Sequence, residues 1–161
     1  MPDSLRLPAS ALRNRTASSR RARGFTLIES LVAVAIAGVL SSIAYPSVEA
    51  QVQRARRSDA LVALMQAQLA EERFRANNSV YGSLADLGLR DTSAASHYRL
   101  QASATARGGY DLLASAAGAQ ARDVKCRHLR LSLVDGDLVY ASGADATTAN
   151  GADANRACWS R

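Results

Sequence analysis

Residues 25–44 have the sequence FTLIESLVAVAIAGVLSSIA, an apolar run of twenty residues whose single charge is Glu29. A helix rises about 1.5 Å per residue, so this run is long enough for the roughly 30 Å hydrocarbon core of a bilayer. The sequence therefore predicts a membrane-spanning helix over residues 25–45, with single-pass anchoring in the membrane lipid.

The segment before this run holds most of the net charge of the chain. Residues 1–24 contain six arginines and one acid, Asp3, a net of +5, and the whole chain of 161 residues carries +6. Subtracting +5 from +6 leaves +1 for residues 25–161, a nearly neutral body. We predict an unfolded basic leader and one domain, with no room for a separate cofactor-binding domain.

The distribution of arginines around the apolar run predicts its orientation. Five arginines lie shortly before it and three shortly after it, at Arg54, Arg56 and Arg57. The amino end is therefore expected in the cytoplasm and everything after residue 45 outside it. Cys126 and Cys158 are the only thiols, and an oxidising periplasm would join them, the alternative being two unpaired structural thiols. The disulfide would close a loop of about 33 residues and stabilise the fold by roughly 3–4 kcal/mol.

Residues 46–78 predict an amphipathic helix that continues the membrane helix, with a kink at Pro46 and a stop at Asn77 and Asn78. Apolar residues recur at steps of three, four or their sum, and we expect this face to pack against a sheet. Its members are Val48, Val52, Ala55, Val62, Met65 and Leu69.

Residues 79–161 predict a small globular head. Short alternating segments at residues 97–102, 110–114, 129–133 and 138–140 indicate three or four antiparallel strands, and the turn at residues 135–137 indicates a hairpin. Residues 143–155 are expected to form a surface loop. The fold class is α+β, one long amino-terminal helix packed on a small antiparallel sheet.

The junction at residues 23–29, RGFTLIE, has an order opposite to that of a secretory signal, because the basic leader precedes the apolar run. A cut after Gly24 would remove the charge and keep the hydrophobic helix. Thr26 and Glu29 have the spacing of a capping box. Alternatively, the Glu29 carboxylate seeks a cationic partner, such as a new amino terminus at Phe25 of a neighbouring copy. A twin-arginine signal at residues 19–21 is a weaker reading, because no small-residue cleavage site follows the apolar run.

Gly24, Phe25 and Glu29 followed by the apolar helix resemble the amino-terminal signal of type IV pilins and of the related type II secretion pseudopilins. The resemblance implies cleavage after Gly24 by a prepilin peptidase, methylation of Phe25, and a role for Glu29 in subunit register. It also implies partners in other pilin subunits and the inner-membrane assembly platform, with the head periplasmic before assembly and extracellular in the pilus. Further along the chain, Cys126 and the Cys158-Trp159 end resemble PilE-type minor pilins.

Three functions follow from this resemblance. The favoured one is a structural, minor pilus subunit serving adhesion, twitching motility or DNA uptake; the others are a pseudopilin and a DNA- or surface-binding tip pilin. The disulfide and the terminal Trp159 argue against the major pseudopilin, and the nearly neutral body argues against a strong DNA receptor.

The arginine run after the membrane helix has two readings. Arg54, Arg56 and Arg57 would form either a patch for nucleic acid or anionic lipid, or, as we favour, salt bridges to neighbouring subunits. The acids proposed as partners in those subunits are Glu49, Asp59, Glu71 and Glu72.

No catalytic or metal-binding motif is recognised in the sequence. His97 and His128 have no metal-ligand or nucleophile spacing, and no phosphate loop follows a strand, so we expect no enzyme and no cofactor. The acids near the carboxyl end would bind calcium or serve turns and loops, and their spacing favours turns. They are Asp135, Asp137, Asp145 and Asp153.

Overall fold

The computed structural model describes residues 25–160, except for the side chains of residues 43–47. The predicted leader, residues 1–24, and the predicted cleavage residue Gly24 lie outside the described residues, as does the side chain of Pro46. The chain divides into two units, residues 1–40 and 41–161.

The first helix, α1, covers Leu27–Arg75 and includes position 46. The backbone N–H of Glu29 donates to Thr26 Oγ1 at 3.3 Å, so Thr26 caps the amino end as one half of the predicted capping box. Among the described residues, no helix is apolar over a sufficient length to be assigned as a membrane span.

The carboxyl end of α1 lies three residues before the predicted stop at residue 78. The side-chain amides of Asn77 and Asn78 donate to the carbonyls of Arg73 and Phe74, at 3.3 and 2.8 Å. These two asparagines satisfy carbonyls of the last turn that have no partner within the helix.

Four strands form one antiparallel sheet in the order β1-β2-β3-β4. They cover Tyr98–Ala104, Tyr110–Ala116, His128–Val134 and Asp137–Gly143. The predicted strands are confirmed, although β1 begins one residue later than predicted; the other differences are extensions of one to three residues at strand ends. The predicted hairpin is present between β3 and β4, where Asp135 and Gly136 have φ values of 52° and 91°, as a tight two-residue turn requires.

The core lies between one face of the sheet and an alanine-rich face of α1. The buried apolar residues of α1 are Ala60, Leu61, Ala63, Leu64 and Ala67, and those of the sheet include Tyr98, Leu100, Leu112, Leu129 and Leu131.

The predicted packing face of α1 was wrong. Its large members point away from the sheet and remain 39–55% exposed, and we call this set the outer stripe: Val48, Val52, Val62, Met65 and Leu69. The sequence pattern contains two apolar faces on opposite sides of α1, and the larger residues of the outer stripe give the stronger signal. Alanine has little apolar surface, so the true core face gave the weaker signal.

The predicted carboxyl-terminal loop is wrong in its last four residues, 152–155, which belong to a second helix, α2, covering Ala152–Trp159. Trp159 stacks edge-on against Tyr140 with ring centroids 5.0 Å apart, and its Nε1 donates to the carbonyl of Ala141 at 3.1 Å. A helix of eight residues is marginal alone, so these contacts and the disulfide stabilise it.

Candidate nucleic-acid interface

The connection between β2 and β3 crosses α1 at the arginine run that was singled out in the sequence. It contains two 3-10 turns, Gly118–Arg122 and Val124–Cys126. The buried side-chain amide of Gln120 donates to the carbonyl of Gln53 at 3.1 Å and to the Tyr98 hydroxyl at 3.0 Å. Burial raises the pKa of Tyr98 to about 12, so its hydroxyl stays protonated in this network.

This crossing places two cations on each of its two sides, and we call the four together the basic end: Arg54 and Lys125 on one side, Arg56 and Arg122 on the other. Among the described residues, Arg54, Arg56 and Lys125 have no carboxylate within 4.0 Å, and Arg122 lies 3.5 Å from the exposed Glu49. Counting Glu49, the local net charge is +4 minus 1, or +3.

Two grooves flank the connection within the basic end. The larger, about 900 Å³, lies between α1 and α2, and its cations are Arg54, Arg57 and Lys125. The smaller, about 260 Å³, is lined by Arg56 and Arg122 beside Glu49. No aromatic side chain lines either groove in the part of the chain that the structure describes.

Arg57 does not belong to the exposed cations. Its Nε and Nη2 donate to the Asp123 carboxylate at 2.6 and 2.9 Å, and the two side chains are only 12% and 5% exposed. Its Nη1 donates to the carbonyl of Ala157 in α2 at 3.0 Å. The predicted salt bridge from Arg57 to a neighbouring subunit is therefore wrong, because its guanidinium is bound inside the subunit.

Two of the four acids proposed as partners of neighbouring subunits are also bound inside the head. Asp59 accepts from the Ser93 hydroxyl at 2.5 Å and from the backbone N–H groups of Ala95 and His97. Glu71 is fully buried and accepts from the Gly82 N–H at 2.9 Å. Both carboxylates hold the segment after α1 against the helix.

Burial raises the pKa of Glu71 and is opposed by the Gly82 hydrogen bond. Its Oε1 has no hydrogen-bond partner among the described residues. The buried carboxylate is therefore incompletely satisfied, and its charged form is costly in the folded state.

The two histidines lie at separate places. His128 Nδ1 is 3.0 Å from the Ser115 hydroxyl on the sheet face opposite α1, and burial together with the cations Arg127 and Arg130 lowers its pKa. His97 contributes its backbone N–H to Asp59.

The carboxyl-terminal acids serve turns and local contacts, as the spacing predicted. Asp145 accepts from the backbone and hydroxyl of Thr147, and Asp153 pairs with Arg156. Among the described residues, no group of three or more potential ligands is placed to hold a metal ion.

Cys126 and Cys158 form a disulfide, as predicted. It joins the end of the β2–β3 connection to α2, at the wall of the larger groove. Sequence reasoning missed Arg122 and Lys125, because both lie more than 60 residues from the arginine run and only the fold brings them there.

Two family models match the chain, and no curated protein does. Residues 46–130, more than half of the chain, match the model described as type IV minor pilin ComP, DNA uptake sequence receptor. Residues 19–45 match the prokaryotic N-terminal methylation motif. The two matches follow each other without a gap and cover the helix, the β2–β3 connection and three residues of β3. The chain is therefore a member of the ComP family of type IV minor pilins.

Proposed function

We propose that this minor pilin binds double-stranded DNA through its basic end during DNA uptake. The observation that carries the proposal is a set of three cations without a carboxylate partner among the described residues, Arg54 and Lys125 at the larger groove and Arg56 at the smaller one. Phosphate contacts from such side chains supply most of the affinity of non-specific DNA binding. The family model that matches residues 46–130 is described as a DNA uptake sequence receptor, which supports the same function.

The nearly neutral charge of residues 25–161 does not argue against this function. The net charge of +1 for residues 25–161 combines regions of opposite sign. The basic end has a local net charge of +3, while Asp135 and Asp137 lie at the opposite end of β3. A surface patch of one sign steers a polyanion regardless of the mean charge.

The composition of the grooves favours duplex over single-stranded DNA. Single-strand binding combines a basic groove with aromatic side chains on which bases stack. Neither groove offers such a side chain among its lining residues. The available contacts are cations for phosphates, which a duplex presents on both strands.

The outer stripe is proposed to contact helices of neighbouring pilin subunits in the filament. Val62, Met65 and Leu69 lie at steps of three and four on one side of α1, and each is 44–51% exposed. A contiguous apolar helix face of this kind gains free energy when a second helix covers it.

The amino-terminal residues are proposed to act as in other members of the pilin class. Cleavage after Gly24 by a prepilin peptidase and methylation of Phe25 would produce the mature subunit, and the match to the methylation motif over residues 19–45 supports this. Glu29 would pair with the amino terminus of a neighbouring subunit, and Pro46 would kink the helix. The inner membrane would hold the subunit before its assembly into an extracellular pilus.

DNA binding is tested by fluorescence anisotropy of a labelled duplex with the full chain in a neutral detergent. The double variant Arg54→Gln/Lys125→Gln is expected to bind more weakly than the parent, and a matched variant, Arg73→Gln/Arg107→Gln, is expected to bind like it. These control arginines lie on the last turn of α1 and in the β1–β2 turn, outside the basic end. Equal losses in both double variants would contradict the assignment to the basic end.

A further inference from the structure

Arg57 connects three elements that surround the larger groove. Two of its nitrogens bind the Asp123 carboxylate in the β2–β3 connection, and the third binds the carbonyl of Ala157 in α2. We propose that Arg57 is a positioning residue, which holds α2 in place as the second wall of the DNA-binding groove. This inference rests on the proposed DNA-binding function and names what maintains its site.

The burial and pairing of Arg57 separate it from the cations that face solvent. Asp123 neutralises its guanidinium with two hydrogen bonds, and both side chains are almost completely covered. A fork-to-fork pair of this type fixes the direction of the guanidinium plane. A phosphate would gain little from a cation whose charge is already balanced, so Arg57 acts through its neighbours.

The position of α2 matters because this helix supplies one side of the groove. Ala154 and Ala157 of α2, with Ser160 directly after it, line the groove together with Arg54 and Ser58 of α1. The disulfide ties α2 to the β2–β3 connection, whereas Arg57 ties it to α1. Trp159 and Asn155 hold α2 on β4 as well, so Arg57 is the hydrogen-bonded link that sets the position of α2 relative to α1.

The geometry of the link explains why lysine cannot replace Arg57. An ammonium group is a single point of charge, so it cannot hold both carboxylate oxygens of Asp123 in a fork and also reach the Ala157 carbonyl in the same arrangement. Arg57→Lys therefore keeps the charge and loses the link to α2.

The test compares Arg57→Lys and Arg57→Gln with Arg54→Gln in the full chain. Hydrogen exchange of the α2 amides is measured without DNA, and duplex affinity is measured over a series of salt concentrations. We expect both Arg57 variants to exchange faster in α2, with β2 and β3 unchanged, and to bind about tenfold more weakly. The slope of log affinity against log salt should stay at the parent value, whereas Arg54→Gln should lower its magnitude by about 0.9.

Several results would overturn the inference. Full affinity of Arg57→Lys, or unchanged hydrogen exchange in α2, would show that Arg57 does not position α2. A salt slope that Arg57→Gln lowers as much as Arg54→Gln does would show that Arg57 contacts DNA directly. If the Arg57 variants do not fold, Asp123→Asn, which keeps one acceptor oxygen, should loosen α2 to a smaller extent, and no loosening would contradict the inference. If the parent binds no duplex, the proposed function fails, while the exchange measurement still tests whether Arg57 positions α2.

Discussion

Replacing Val62 and Leu69 by lysine is expected to prevent incorporation of the subunit into pili without unfolding its head. The two residues lie seven positions apart on the outer stripe, and they are 49% and 51% exposed. Complete burial of such a side chain is worth about 1.5–3 kcal/mol, so covering the exposed half of each contributes about 1 kcal/mol. The pair therefore contributes about 2 kcal/mol, which corresponds to a roughly 30-fold change in an association constant.

Lysine adds the cost of placing an ammonium group in an apolar contact, so the effect should exceed the loss of burial alone. Pili are sheared from cells that express each variant, and the subunit is quantified by immunoblot in the pilus and membrane fractions. Val139→Lys is the matched control, since Val139 is 46% exposed but lies on the sheet. Its incorporation should equal that of the parent.

The reasoning would be refuted if the double variant entered pili at the parent level. It would also be refuted if the melting temperature of the double variant fell far below that of the parent. Such a fall would mean that Val62 and Leu69 stabilise the head, contrary to their exposure.

Three further predictions concern single residues. Glu71→Gln should raise the free energy of unfolding at neutral pH. The pKa of Glu71 is raised in the folded state, so its contribution to stability falls as the pH rises from the unfolded pKa through the folded pKa. The stability advantage of Glu71→Gln should therefore shrink on acidification. An advantage that does not depend on pH would contradict the burial argument. Mass spectrometry of the mature protein should give an amino terminus at methylated Phe25, and any other start would remove the basis of the processing proposal. Glu29→Ala should leave cleavage intact and lower pilus incorporation; normal incorporation would contradict the role in register.

The sequence predicted most of the head because its signals were local. The turn residues Asp135 and Gly136 identify a hairpin wherever they stand between alternating strands, and two cysteines in an exported domain have one way to pair. The predicted β1 and β2 end two residues early, because the missed residues are fixed by pairing between strands: Ser103 and Ala104 pair with β2, and Ser115 pairs with His128. Local chemistry was therefore enough for the strands and the last hairpin, whereas the strand order was not predicted.

What the sequence did not predict depends on tertiary contacts. The core face of α1 is rich in alanine, so its burial depends on the sheet that covers it rather than on a strong hydrophobic pattern. The helix α2 is stabilised by Trp159 and by the disulfide, which no window of residues 143–155 contains.

The basic end could not be read from the sequence either. Lys125 lies near Arg54 only because Gln120 and Asp123 fix the β2–β3 connection against α1. Two of the four cations of the basic end, Arg54 and Arg56, belong to the arginine run at residues 54–57. The third arginine of that run, Arg57, is paired with Asp123 inside the head. Spacing along the chain could not distinguish an exposed arginine from a buried one.

The most direct test of the central claim is the salt dependence of duplex binding by the full chain. Three unpaired cations predict a slope of log affinity against log salt of about −2.7, so affinity should fall roughly 40-fold between 50 and 200 mM salt. For Arg54→Gln/Lys125→Gln the slope should be about −0.9, a fall of only about 3.5-fold over the same range. A parent affinity that is absent, or a slope that the double variant leaves unchanged, would contradict DNA binding at the basic end.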